Sequence, residues 1–361
     1  MSRRDDPTTA DDAAGAYTGG PVAALRRIAF LLERSRAETY KVKAFRAAAD
    51  TILPLGDEVA DRVRSGTLRD LPGIGASTAE VIEAAVEGRT PHRLAKLERE
   101  TAGPLVEGGE AIRARLRGDL HSHRDWSDGG SPIEEMAFTA MELGHAYLVL
   151  TDHSPRLTVA NGLSVARLTR QLEVVEAVNE HLAAGRDDGG GFRLLKGIEV
   201  DILDDGSLDQ TDEMLGRLDV RVASVHSKLA MDAAAMTRRM VAAVHNPFAN
   251  VLGHCTGRLL TGNRGMRKQS EFDADAVFEA CRETGTAVEI NSRPERRDPP
   301  TQLLQRAIDA GCLFSIDSDA HAPGQLDFLS YGAARAQELG LDPDRIVNTW
   351  PVDRLLEWAR P

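Results

Sequence analysis

The stretch Gly118-Asp-Leu-His-Ser-His123 decides how this chain reads, because a short apolar run there ends in two histidines one residue apart. On an extended strand the side chains alternate between faces, so His121 and His123 point the same way and can address one cation. The same spacing returns at Asp319-Ala-His321. Between these two motifs, short apolar runs alternate with amphipathic stretches at helical spacing, the pattern of repeated β/α units. Seven strands are predicted, at about residues 118–121, 147–151, 193–198, 220–225, 250–253, 287–290 and 313–316. Helices are predicted between several of them, at 131–143, 164–181, 233–244, 274–284 and 301–310.

The economical arrangement is an α/β fold, a distorted seven-stranded (β/α)7 relative of the TIM-like (β/α)8 barrel. The first predicted strand runs into His121 and His123, with Asp128 in the loop beyond, and the second runs into Asp152-His153. The third ends in Glu199, the fourth in His226, the fifth in His254, and the seventh leads to Asp319 and His321. In a parallel barrel all these carboxyl ends meet at one face, where such folds place their chemistry. Nine ligand-type side chains therefore converge. Of the 10 histidines, His92, His145, His181 and His245 fall in helices or at their ends and are read as structural or solvent-exposed. Imidazole with carboxylate and no thiolate suits zinc, manganese or iron. Arg156, Arg258 and Arg293, each in a loop after a strand, are candidates for clamping nonbridging phosphate oxygens as bidentate donors. Glu289 and Asn291, at the end of the sixth strand, are candidates for supporting the site.

The amino-terminal part has a different character. Residues 1–20 are polar and are read as a disordered leader. Residues 21–117 read as helices at 22–33, 40–53, 57–64 and 76–86, with the tight break Leu71-Pro-Gly-Ile-Gly75 before the last of these. The chain has a net charge of −12, yet residues 21–117 carry 17 Lys/Arg against 14 Asp/Glu, so the acidity lies beyond them. An acidic domain repels phosphate unless bound divalent cations reverse the sign locally. No apolar run approaches the roughly 18 residues of a membrane helix. Cys255, Cys281 and Cys312 are odd in number and widely spaced, which points to a reducing compartment, the cytoplasm.

With these motifs in hand, the segment from about Arg117 to Trp358 resembles the polymerase and histidinol phosphatase (PHP) domain, a seven-stranded metallohydrolase fold that typically binds three metals. Gly118-Asp-Leu-His-Ser-His, Leu150-Thr-Asp-His, Gly197-Ile-Glu-Val, Ser224-Val-His, Leu252-Gly-His and Ser318-Asp-Ala-His look like its metal motifs. The resemblance implies three divalent ions, Zn2+ and/or Mn2+, with Fe2+ as a further candidate. It implies that His121, His123, Glu199 and Asp319 hold one, and Asp128, His153 and His321 a second. Glu199, His226 and His254 hold the third, and Glu199 bridges, which places Glu199 and Asp319 at the catalytic centre.

The amino-terminal module is similar to the small lyase-type domain of family X DNA polymerases. Thr39-Tyr-Lys-Val-Lys-Ala-Phe-Arg-Ala-Ala-Ala reads like its second helix, and Leu71-Pro-Gly-Ile-Gly-Ala-Ser-Thr-Ala-Glu like its helix-hairpin-helix motif. Glycines let a backbone approach phosphate, and the N–H groups opening the next helix can bind it. Lys41, Lys43, Arg46, Gly73 and Gly75 are the candidate contacts to a DNA backbone, without sequence readout. The expected domains are a helix-hairpin-helix domain over 21–110 and a metallophosphoesterase domain over 117–361. Two departures matter: Val81 stands where the polymerases place a Schiff-base lysine, and no segment separates the two parts that is long enough for a polymerase palm. The expected function is a metal-dependent phosphoesterase acting on DNA, as a 3′-5′ exonuclease or in 3′-end processing during repair. Hydroxide generated on a divalent cation attacks phosphorus, with no polymerase and no lyase chemistry. Two alternatives stay open, a phosphatase of a small monoester such as histidinol phosphate and a non-catalytic DNA-binding scaffold.

Overall fold

The structure, a computed structural model, describes residues 16–184, 191–261 and 265–361. The chain divides into two compact units between Pro104 and Leu105. In the first unit, helices α1 (Gly20–Arg34), α2 (Thr39–Ile52), α3 (Glu58–Ser65), α4 (Ala76–Val86) and α5 (His92–Glu100) follow one another. Spacing of three and four gives each long helix one apolar face. Leu25, Ile28, Ala29 and Leu32 of α1 meet Phe45, Ala48, Ala49 and Ile52 of α2, together with Ala79, Val81 and Ile82 of α4, in one core. Of the expected leader, residues 1–15 lie outside the described residues. The rest is tied down, since Tyr17 N–H donates to the Gly88 carbonyl at 2.8 Å and Gly20 already opens α1.

The second unit begins before its first strand. Helix α6 (Glu110–Arg113) and the turn after it bury Ile112 and Leu116 in the barrel's outer core, so residues 105–116 pack there rather than with the helical module expected to run to 110. Seven parallel strands follow in sequential order: β1 (Gly118–Asp119), β2 (Tyr147–Leu150), β3 (Arg193–Asp201), β4 (Val220–Ser224), β5 (Val251–Leu252), β6 (Ala287–Asn291) and β7 (Phe314–Asp317). Helices α7 (Ile133–Glu142), α8 (Val165–Ala184), α9 (Asp212–Leu215), α10 (Ala233–Val244), α11 (Ala274–Thr284) and α12 (Thr301–Asp309) connect them. Helices α13 (Leu329–Glu338) and α14 (Val352–Trp358) complete the chain. Apolar residues of the C-terminal segment, Val347, Trp350, Leu355 and Ala359, pack with Leu120, Tyr147 and Val149. No helix among the described residues is long and apolar enough to cross a membrane.

Strands β7 and β1 share no ladder, only an isolated parallel bridge from Ser122 to Ala320, and side chains make the rest of the seam. Leu120 N–H donates to Asp317 Oδ1 at 3.0 Å, and Ser318 N–H to Asp119 Oδ1 at 3.2 Å. Asn348 Nδ2 donates to Asp317 Oδ1 and to the Ile316 carbonyl, both at 3.0 Å, while its Oδ1 accepts from Ile316 N–H at 2.7 Å. This is why β1 is shorter than predicted: past Asp119 the amides of Leu120 and His121 bond carboxylates instead of a strand partner. Strand β3 departs in the other direction. It continues to Asp201, so Glu199 pairs with Val222 inside the strand and not at its end.

His145 is neither exposed nor satisfied, for it lies buried at the entry to β2 with neither ring nitrogen bonded. Burial, with the nearby charge of Arg113, lowers its pKa from 6.5 to about 3. Below about pH 6.5 the unfolded chain therefore takes up a proton that the folded chain refuses, and stability falls as pH drops toward 3. The predicted slope is about 1.4 kcal/mol per pH unit. Urea midpoints measured between pH 7 and 5 should fall more steeply for the natural chain than for His145→Leu.

Candidate metal centre

All nine sequence-derived ligands meet at the carboxyl end of the barrel. They form four overlapping groups whose ligand atoms lie within 4.8 Å of one another: His123, Asp128, His153 and His321; His121, His123 and Asp319; His121, Glu199 and His254; His153, Glu199 and His226. Glu199 is the hub. Its Oε1 lies 3.1 Å from His226 Nε2 and 2.8 Å from His254 Nε2. Its Oε2 lies 2.8 Å from His153 Nδ1, 3.3 Å from His121 Nε2 and 3.5 Å from His123 Nε2. Asp128 Oδ1 stands 3.3 Å from Nε2 of both His153 and His321, and Asp319 Oδ1 stands 3.4 Å from His123 Nε2.

The donor set fits divalent cations. His121 Nε2, both ring nitrogens of His123, His153 Nδ1, His226 Nε2, Asp128 Oδ1 and Glu199 Oε1 are buried without a well-formed hydrogen bond among the described residues. A buried polar atom left unpaired costs about 1–3 kcal/mol, so a converging cluster of them is stable only around something that binds them all. Burial works against the charged form of Glu199, yet His226, His121 and His153 hold its pKa well below the usual carboxylate range. For Asp319, burial is likewise overcome by Arg296, His121, His123 and Arg293. The carboxylates therefore stay anionic, as ligands must.

A second layer aims the imidazoles. His121 Nδ1–H donates to Glu289 Oε1 at 2.5 Å, and His226 Nδ1–H donates to Asp201 Oδ1. With Nδ1 committed, each ring presents Nε2 to the centre. Glu289 Oε2 also accepts from the His254 amide at 2.5 Å and from Asn291 Nδ2 at 3.2 Å, and that amide group reaches Asp319 Oδ2 at 3.1 Å. Glu289 and Asn291 thus lie where the sequence suggested support. Asp201 was not foreseen, although it stands two residues after Glu199 and so on the same face of β3. Asp319 takes a left-handed backbone, φ 50°, which Asp and Asn tolerate better than other side-chain-bearing residues.

The three arginines expected to clamp phosphate part company. Arg293 NH1 donates to the Asp319 carbonyl at 3.1 Å and stands 2.9 Å from His321 Nδ1, at the edge of the centre. Arg258 is instead spent on backbone: its Nε donates to the Arg296 carbonyl at 2.9 Å and its NH2 to the Arg297 carbonyl, so it braces the β6–α12 loop. Arg156 is exposed, with its charge felt by Asp204 rather than by a ligand.

In the helical unit, Gly73 takes φ 78°, the conformation its turn requires, and Gly75 opens α4 with its N–H on Thr78 Oγ1 at 3.0 Å. Lys43 is exposed and Lys41 pairs with Glu38 at 2.7 Å. Arg46, the third basic candidate, forms a bidentate pair with buried Glu33 at 3.0 and 2.7 Å inside the module. Val81 is fully buried.

Glu289→Gln keeps the shape but loses the carboxylate that fixes His121, and should weaken metal binding by roughly 10- to 100-fold in a competition titration against a chelator, with the fold intact. Gly129 follows the ligand Asp128, and a Cβ there would sit 2.6 Å from the Arg124 backbone. Gly129→Ala should therefore lower the number of metal ions per chain, counted by elemental mass spectrometry.

Residues 21–91 match the helix-hairpin-helix domain and residues 119–293 the PHP domain. The chain is 37% identical over 244 residues to the DNA polymerase/3'-5' exonuclease PolX of Bacillus subtilis, an alignment covering 68% of this chain and 40% of that protein. It thus spans less than half the length of that relative. It is 26% identical over 257 residues to a probable phosphatase of Thermoanaerobacter sp., covering 67% of this chain and 94% of that one. A solved histidinol phosphate phosphatase of Lactococcus lactis, complexed with zinc, L-histidinol and phosphate, superposes with a TM-score of 0.44 and 18% identity, over 63% of this chain and 95% of that one. Residues 21–91 are a helix-hairpin-helix domain, and the seven-stranded barrel that follows is a member of the PHP family.

Proposed function

We propose that this chain is a metal-dependent phosphoesterase acting on DNA, as a 3′-5′ exonuclease or in the processing of 3′ ends in repair. The observation that carries the reading is the union, in one chain, of nine converging metal ligands with a helix-hairpin-helix turn. The PolX relative, named for polymerase and exonuclease activities, supports the exonuclease side. Three ions, zinc and/or manganese, suit the donor set: one among His121, His123, Glu199 and Asp319, one among Asp128, His153 and His321, and one among Glu199, His226 and His254.

When bound, such ions supply Lewis acidity toward phosphoryl oxygens and make water a nucleophile near neutral pH. The chain's own residues do the rest. Glu289 and Asp201 keep Nδ1 of His121 and His226 protonated, so Nε2 stays free to ligate. Arg293, whose NH1 lies beside Asp319 and His321, donates to a nonbridging oxygen. In the helical domain, Lys43 and the Gly73–Gly75 turn hold backbone phosphate, and nothing in the buried Val81 side chain forms an imine.

A second reading keeps the chemistry and changes the substrate to a small phosphate monoester, favoured by the alignment with the Thermoanaerobacter phosphatase over 94% of its length. One experiment separates them. Manganese- and zinc-loaded protein is incubated with 3′-labelled single-stranded DNA, gapped DNA and histidinol phosphate. Shortened DNA is expected, and the double charge reversal Lys41→Glu/Lys43→Glu should raise KM for DNA roughly 10-fold while leaving monoester turnover unchanged. A folded, metal-loaded protein that hydrolyses the monoester and leaves every DNA intact would sink the DNA reading.

A further inference from the structure

The chain leaves β2 still extended, with His153 bridged to Glu199, so the period of two puts Asp152 and His153 on opposite faces. His153 turns to the metal centre, and Asp152 turns away from it, toward α8. Asp152 is buried and belongs to none of the four ligand groups. Both of its oxygens are used. Oδ1 accepts from the Arg124 N–H at 2.8 Å and from the Ser127 hydroxyl at 2.5 Å, and Oδ2 accepts from Gln171 Nε2 of α8 at 2.5 Å. The contacts on Oδ1 grip the loop between β1 and α7 at two points, and the loop closes on itself between them. The amides of Ser127 and Gly129, which flank Asp128, both donate to the Arg124 carbonyl, at 3.1 and 2.8 Å. The fully buried Arg124 guanidinium donates to the His123 carbonyl at 2.7 Å and to Ser122 Oγ at 2.9 Å, and Asp152 is among the carboxylates that offset its charge. One turn before Gln171 on α8, Arg167 NH2 donates to the Trp126 carbonyl of the same loop.

The loop so held delivers Asp128. The side chains of Asp128 and His321 are 18% and 21% exposed, whereas those of His121, His123, Glu199 and His254 are at most 2% exposed. A ligand on an open loop keeps its place only where something fixed holds the loop, since every loosened torsion must be ordered again when a metal binds. We propose that Asp152 is a positioning residue for one ion of the centre: it holds the loop from Arg124 to Gly129 so that Asp128, with His153 and His321, completes the most open metal position. It acts through Asp128 rather than as a ligand, and α8 is the fixed body behind it. The ions assigned to His121, His123, Glu199, His226, His254 and Asp319 use no side chain of this loop, so the effect of Asp152 falls on one ion. This rests on the reading that Asp128, His153 and His321 hold a metal, and not on which phosphoester is hydrolysed.

The test dialyses the manganese-loaded full chain against graded chelator and counts the ions retained per chain by elemental mass spectrometry. It compares the natural chain with Asp152→Ala, Asp152→Asn, Asp128→Ala and the double variant Asp128→Ala/Asp152→Ala. In Asp152→Ala one ion is expected to be held roughly 10- to 100-fold more weakly, with the others unchanged. Asp152→Asn should recover part of the loss, because its carboxamide keeps an oxygen for Arg124 and Ser127 and an N–H for the amide oxygen of Gln171. In the Asp128→Ala background the Asp152→Ala change should add no further loss, since residues that act through one interaction are not additive. Natural affinity for every ion in Asp152→Ala would overturn the assignment. So would a loss shared by all the ions, or an additive loss in the double variant, either of which marks a residue that only supports the fold. Should Asp152→Ala fail to fold, Ser127→Ala, which removes one bond on Oδ1, carries the same one-ion pattern at roughly 5-fold, and absence of that pattern would overturn the assignment equally. A natural chain that shows the pattern and hydrolyses no phosphoester would leave the assignment standing and sink the phosphoesterase reading. A natural chain that holds no manganese would overturn both.

Discussion

The seam between β1 and β7 is the constraint on which the candidate metal centre depends. Four of the nine ligands, His121, His123, Asp319 and His321, lie just beyond these two strands, at opposite ends of the barrel sequence. No ladder joins the strands, so backbone pairing alone does not bring the two pairs together. Buried side chains do it. Asp119 and Asp317 each accept an amide from across the seam, Asn348 ties Ile316 and Asp317, and His123 N–H then donates to the Ala320 carbonyl at 2.7 Å. Burial raises the pKa of Asp119 to about 6 and that of Asp317 to about 7 despite these bonds. A closure built from side chains frees the backbone beyond it from strand geometry, and Asp319 uses that freedom to adopt its left-handed conformation.

The same economy governs the electrostatics. Six imidazoles and three carboxylates crowd the mouth of the barrel, where unpaired groups are costly. Their arrangement around Glu199, with two histidines facing one oxygen and three facing the other, sets one negative charge against five of the six imidazoles. Glu289 and Asp201 place further negative charge behind the rings, fixing the tautomers and raising the basicity of the ligating nitrogens. In the β6–α12 loop, Arg293 and Arg296 lean on Asp319. The centre is therefore anionic at its heart and cationic along one edge, which suits cations inside and a phosphoryl group beside them.

The helical domain is organised by different physics. Its core is apolar, and the buried ion pair of Arg46 with Glu33 is internal. Of the candidate DNA contacts, Lys43 is exposed, Lys41 pairs with Glu38 and Arg46 with Glu33. Val81 is drawn into the core with Ala79 and Ile82.

The convergence of the candidate ligands and the β/α order were legible in the sequence because strand alternation has a period of two and parallel barrels gather their carboxyl ends on one face. Spacings such as His121-Ser-His123 and Asp319-Ala-His321 thus carry spatial information locally. The glycine turn was legible for a similar reason, since Gly73 supplies a backbone conformation that its neighbours resist. What local pattern did not carry was the fate of each arginine. Arg258 and Arg293 follow strands in the same way, and Arg296 and Arg297 are adjacent and chemically identical. One braces carbonyls, one meets Asp319 and His321, one turns inward and one faces solvent. A long flexible cation takes its direction from whichever acceptor the folded loops place within reach, and those acceptors are brought there by distant parts of the chain. Tertiary structure alone decided them.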